Sequence, residues 1–115
     1  MAKRFGLTAS DIRSLTLGRG SCIASGRITL NRMLVGFMDR ETPDNDLDSG
    51  WRFFSGEETQ EYADNPDNFE LYDVNTIANY DPQITQHLDA PAYSAFERHL
   101  TLGTFIPTDF PEILA

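Results

Sequence analysis

The spacing of apolar positions changes several times along the chain, and each change predicts an element. Thr8, with Asp11 three residues on, resembles a capping box, and Ile12 and Leu15 follow at i, i+3 spacing. That pattern predicts a helix over 8–17 that stops at Gly18. Residues 21–40 alternate instead. Cys22–Ala24, Ile28–Leu30 and Leu34–Met38 read as three short strands, with turns at Ser25-Gly26 and Asn31-Arg32. Three strands in so short a span predict an antiparallel meander.

After the polar stretch from Glu41 to Ser49, Trp51–Phe54 predicts a strand with Trp51 and Phe53 on one face and Arg52 and Phe54 on the other. Ser55 then caps a short helix over 57–63, whose early glutamates suit a helix N-terminus, and Asn65-Pro66-Asp67 makes a turn. Val74, Ile77 and Ala78 share a helical face. Asp81-Pro82 starts a helix over 82–88 that places Ile84 and Leu88 one turn apart and closes at Ala90-Pro91. Ser94–Arg98 alternates as a last core strand, and Thr101–Ile106 offers another before a tail punctuated by Pro107 and Pro111. No repeat or domain boundary interrupts the pattern. The expected class is α+β: one domain over 1–115, an antiparallel sheet of four to six strands with short helices packed on it. The helix over 8–17 and the Pro-containing tail over 104–115 are additions to that body.

Composition narrows the class further. The 115 residues are 40% hydrophobic and include eight Phe, enough for one core without staples. A single cysteine, Cys22, excludes an internal disulfide. No apolar run has signal-peptide length or approaches the ~20 residues that span a bilayer, so the expectation is a soluble, cytoplasmic protein that engages no membrane. Charge is divided along the chain. Residues 1–40 hold seven of the nine Lys and Arg against Asp11 and Asp39, a balance of +5, while residues 41–115 carry −14 of the net −9. Such a surface repels nucleic acid and favours a basic partner, although acidity also serves solubility alone.

Chemistry is sparse. In "DNDLDSGWRFFSGEE", Asp44, Asp46 and Asp48 fall at every second position, as in a calcium loop. The loop's glycine arrives one place late, however, and Ser55 stands where the closing carboxylate belongs, so the stretch reads as an acidic turn feeding a buried strand. His87 and His99 have no metal-ligand spacing to each other or to Cys22, and Cys22 in a β run reads as a small core residue. Gly18-Arg19-Gly20-Ser21 lacks the lysine and following helix of a phosphate loop. Adjacent Glu57 and Glu58 point about 100° apart on a helix and form no facing pair. No catalytic residue, metal site or cofactor is predicted. Trp51, Phe53 and Phe96 suit the core, while Tyr72 and Tyr80, beside Asp73 and Asp81, suggest an acidic and aromatic edge able to dock on an Arg-rich surface.

Taken together, "GSCIAS", "VGFM", "RETPDNDLDSGWRFFSGEE", "YDVNTIANYDPQI", "LDAP" and "SAFER" resemble a bacterial domain family grouped with the immunity proteins of polymorphic toxin systems, the thirty-third immunity type. The resemblance covers about residues 20–98. Its matching positions are Asp48, Ser49, Gly50, Trp51, Arg52, Phe53, Phe54, Ser55, Gly56, Asp73, Asn75, Thr76, Asn79, Tyr80, Asp81 and Pro82. The family often has a glycine before the serine of its last block, where this chain has Tyr93. The resemblance implies a small binding protein that neutralises a toxin domain and carries over no catalytic residue. The residues expected to meet a basic protein partner are Asp44, Asp46, Asp48, Glu58, Tyr72, Asp73, Asn79, Tyr80 and Asp81. The alternative is a small-ligand binder or enzyme with a cleft lined by Asp48, Arg52, Asn79 and Asp81.

Overall fold

A computed structural model describes residues 6–111. Six strands, β1 (Ser21–Ser25), β2 (Phe37–Arg40), β3 (Asp48–Phe54), β4 (Phe69–Asp73), β5 (Ala95–Arg98) and β6 (Phe105–Thr108), form one sheet in the order β4-β1-β3-β2-β5-β6. Three short α-helices accompany them: α1 (Gly26–Thr29), α2 (Gln60–Ala63) and α3 (Val74–Tyr80). The fold is α+β and the sheet is mostly antiparallel. Its one parallel pair joins β1 to β3.

The parallel pair replaces the expected meander. Ser25-Gly26 is a helix start rather than a hairpin turn: the Ser25 hydroxyl accepts from the Arg27 N–H at 3.1 Å and caps α1. Ile28, expected in a strand, is therefore on a helix and fully buried. The chain then leaves the sheet, and Val35 donates its N–H to Asp81 rather than to a neighbouring strand. The strand expected over Leu34–Met38 consequently begins at Phe37 and pairs with β3 and β5, not with β1.

Near the N-terminus, the Asp11 carboxylate accepts from the Thr8 N–H at 2.9 Å, as the capping pattern predicts. The helix expected over 8–17 nevertheless stops after one 3-10 turn, Ala9–Asp11. The backbone of residues 13–16 is held instead by side chains of α3, which compete with helical bonding. A similar substitution occurs after β3. Glu58 folds back so that its carboxylate accepts from the Ser55 and Gly56 N–H groups, and the helix expected over 57–63 shrinks to α2, capped by Thr59.

β4 was not expected. It is an edge strand whose Glu70, Tyr72 and Asp73 break up the apolar signal, yet it pairs with all five residues of β1. β6 carries Pro107, tolerated because an edge strand need not donate every N–H. The expected 82–88 helix is a 3-10 segment, Pro82–His87, with the Asp81 carboxylate accepting from the Gln83 N–H as its cap.

The core lies between one sheet face and α1, α3 and the Pro82–His87 segment. Cys22, Ala24, Met38, Trp51 and Phe53 of the sheet meet Ile28, Val74, Ile77, Ala78, Ile84 and Leu88 there. Trp51 is 1% exposed, and its indole N–H donates to the Leu88 carbonyl at 3.3 Å. Truncating a buried tryptophan to alanine typically costs about 3–5 kcal/mol, so this ring is a principal contributor to the core.

Candidate functional site

The sheet's second face has a different composition. Strand register aligns Ile23, Arg52, Asp39 and Ala95 across β1, β3, β2 and β5. The next row holds Phe54, Phe37 and Glu97. None of α1, α3 and the Pro82–His87 segment, whose buried residues pack in the core, covers this face. α2 has no buried residue and reaches only the face's margin, where Tyr62 lies 6.0 Å from Phe69. Phe69 is 5.9 Å from Phe54, and Phe54 is 6.1 Å from Phe37, so half-buried rings cross the face in a band. A cleft of about 970 Å³ opens at the end of this band, beside Phe37, Ser55, Glu57, Glu97 and Ile106.

Above the band, Arg52 organises the acidic segment. Its NH1 and NH2 donate to the two Asp48 oxygens at 2.9 and 2.8 Å, and its Nε donates to Glu41 Oε2 at 3.0 Å. Asp44 stands at 3.5 Å from NH2. The pairing becomes possible because β3 bulges: β1 advances from Ser21 to Ile23 while its partner advances from Asp48 to Arg52. Gly50 at φ +87° sits inside that bulge, where an added Cβ would lie 2.3 Å from the Glu41 carbonyl oxygen. No other residue fits that position.

Burial divides the cluster into floor and rim. The side chains of Arg52 and Asp48 are 6% and 5% exposed, whereas those of Glu41 and Asp44 are 43% and 75% exposed. Hydrogen bonding from Arg52 holds the Asp48 carboxyl well below the usual range. Asp39 behaves oppositely. It lies directly across from Arg52, is 6% exposed, and its Oδ1 is buried without a hydrogen-bond partner. Burial first, and the Glu41 charge second, push its carboxyl up to about 6.

The remaining candidates have other partners. Asp46 is exposed in the loop that precedes β3. Burial works to raise the Glu58 carboxyl, but bonds from Ser25 and Ser55 outweigh it and lower the value. The exposed Asp73 caps α3, its carboxylate accepting from the Asn75 N–H at 2.8 Å. Tyr72 and Tyr80 converge on Thr29, the first at its hydroxyl and the second donating to its carbonyl, both at 3.0 Å. Asn79 binds the Arg13 backbone, and Asp81 pairs with Arg98. Of the four residues proposed to line a ligand cleft, Asp48 and Arg52 meet each other, while Asn79 and Asp81 each hold other partners.

Sequence reasoning singled out neither Asp39 nor Glu41, and gave Asn75 only as a position matching the family. Alternation in Phe37-Met38-Asp39-Arg40 does place Asp39 on the face opposite Met38, but nothing local identifies Arg52 as its neighbour. Among the described residues no group of three or more His, Cys, Asp or Glu is arranged to hold a metal ion, and no helix is long and apolar enough to cross a membrane.

Comparison with known proteins gives one family. The model described as "Immunity protein Imm33 domain" matches residues 22–109, most of the chain. Neither curated proteins nor solved structures give a match.

Proposed function

The chain belongs to the Immunity protein Imm33 domain family, and from that membership we propose that it neutralises a toxin domain by binding it, without catalysis of its own. The toxin partner is a basic protein, and the docking surface is the margin of the sheet face turned away from the core, with the acidic segment from Glu41 to Asp48.

The observation that carries this reading is the Arg52 cluster. A buried guanidinium fixes a loop of carboxylates at the margin of a face that no core-packed helix covers. Preorganised charge lowers the cost of ordering a loop on association, and exposed carboxylates at the rim steer a cationic partner. The half-buried Phe37 and Phe54 rings supply apolar area beside that charge, the mixture typical of recognition surfaces.

The test is co-expression with a toxin domain encoded beside this gene. Rescue of growth together with a purified complex is the expected result. A protein that neither binds such a domain nor rescues growth would end the immunity reading, and the cleft beside Phe37 and Glu97 would then be the place to look for a small ligand.

A further inference from the structure

We propose that the sheet face turned away from the core carries a receptor for one cationic side chain of the toxin partner, a guanidinium or ammonium that settles against Asp39 between Glu41 and Arg52. The inference rests on the immunity reading for the identity of the partner, and on this chain's geometry for the site.

The first observation is an imbalance of charge. Among the described residues, Asp39, Glu41, Asp44 and Asp48 surround a single guanidinium, that of Arg52. The neighbouring arginines serve elsewhere. Arg40 lies over the Trp51 ring and donates to the Ser49 and Ala90 carbonyls, on the core side. Arg98 is taken by Asp81, and Arg19 by Asp89. From β5 the residue opposite Asp39 is Ala95, and from β1 the residue opposite Arg52 is Ile23, so neither strand adds a charge to the row.

The second observation is independent of the first. Asp39 is 6% exposed and is the one described residue with a buried side-chain oxygen that no donor reaches. A carboxylate oxygen buried without a partner is costly, because it has given up water and received nothing in exchange. Arg52 donates to Asp48, Glu41 and Asp44 but not to Asp39. On Glu41 it takes only Oε2. A second cation is the group that answers the unpaired Asp39 oxygen, and a guanidinium, presenting several donors in one plane, also suits the exposed Glu41 carboxylate.

The test uses the whole protein with N-acetyl-L-arginine amide as probe and N-acetyl-L-glutamine amide as the uncharged control. Carboxyl NMR follows the Asp39 titration, and amide resonances follow the site. The arginine probe is expected to lower the Asp39 midpoint and shift the amides of Asp39, Glu41 and Arg52, with no effect from the glutamine control. Asp39→Asn and, at the exposed rim, Glu41→Gln should each weaken probe binding about tenfold, as loss of one member of a charge pair does. An Asp39 midpoint indifferent to the arginine probe, or an Asp39→Asn protein that keeps its melting transition and binds the probe as before, overturns the proposal. A variant lacking Asp39 that still neutralises a toxin fully also overturns it, while leaving the immunity reading intact. Probe binding at Asp39 in a protein that neutralises no toxin would keep the receptor and remove its assigned partner.

Discussion

Asn75 and Asn79 stand one helical turn apart on α3, and both donate their side-chain amides to the Arg13 carbonyl. Their oxygens accept in turn: Asn79 from the Arg13 N–H, Asn75 from those of Leu15 and Thr16. Two amide side chains thus do for residues 13–16 what a neighbouring strand does elsewhere. Asn75→Ala is expected to cost about 1–3 kcal/mol, the range for leaving buried polar groups unpaired. Hydrogen exchange at Leu15 and Thr16 should accelerate more than at β3. Unchanged protection at those two amides would show that the asparagines are not what holds the segment.

Acidity tests the Arg52 cluster through two carboxyls that move in opposite directions. The Asp48 carboxyl is lowered, so its contribution is present above the usual 3.8 and is lost as pH falls below it. The Asp39 carboxyl is raised to about 6, so the folded state keeps a proton that the unfolded chain has already released. Its contribution is full below pH about 4 and declines as pH rises through about 6. Asp39→Asn should therefore be more stable than the parent at pH 8, by about 1–3 kcal/mol, and this gain should shrink towards pH 4. Urea denaturation of both proteins across that range decides the matter, and parallel curves would refute the assignment.

Tyr93 adopts φ +69°, a left-handed conformation that disfavours a side chain. Its ring is exposed, and its hydroxyl pairs with that of Thr42 at 2.7 Å. Tyr93→Gly relieves the backbone at the loss of the Thr42 hydrogen bond and an edge contact with the Phe110 ring, and is expected to raise stability by up to about 1 kcal/mol. Thermal melts report it directly. A lower melting temperature would mean that the Thr42 and Phe110 contacts outweigh the strain.

The carboxylates of the acidic segment separate into two kinds under charge reversal. Asp44→Lys and Asp46→Lys alter exposed side chains and should slow association with a basic partner, an effect that salt diminishes within about 8 Å of screening at physiological strength. Melting temperatures should stay close to that of the parent. Glu58→Lys differs, because this carboxylate accepts from two backbone N–H groups and the Ser55 hydroxyl. It should destabilise the protein. Equal melting temperatures for all three variants would contradict the distinction.

Much of the core was legible because its signals are local. Trp51 and Phe53 alternate with Arg52, Val74 and Ile77 share a helical face, and Asp81-Pro82 announces a start; the fold uses each as read. The pairing of strands was not legible, since it depends on residues far apart. Nothing in Cys22–Ala24 specifies a parallel partner beginning at Asp48. Short elements also escape periodicity: α1 and α2 have four residues each, barely one turn, and only their caps distinguish them from turns. The candidate site was half visible. Asp48 and Arg52 stand four apart in one strand, but Asp39 joins them only through cross-strand register.

The place of β1, between β3 and β4, governs the order in which the sheet can assemble. Phe37–Arg40 and Asp48–Phe54 are separated by a short connection and can close early as a hairpin. β1 cannot complete its pairing until both β3 and β4 exist, and its contacts with β4, like those of β2 with β5, join residues far apart in sequence. Such non-local pairing slows folding, because loop-closure entropy is lost before the contacts that repay it form. During synthesis the segment Cys22–Ser25 emerges before both its partners, and its β4 edge stays open until Phe69–Asp73 has followed. The slow steps of folding should accordingly be the docking of β1 and of β5 onto the β2–β3 hairpin, and substitutions at Cys22 or Ala24 should change the refolding rate more than those at Phe105, whose strand pairs locally with β5.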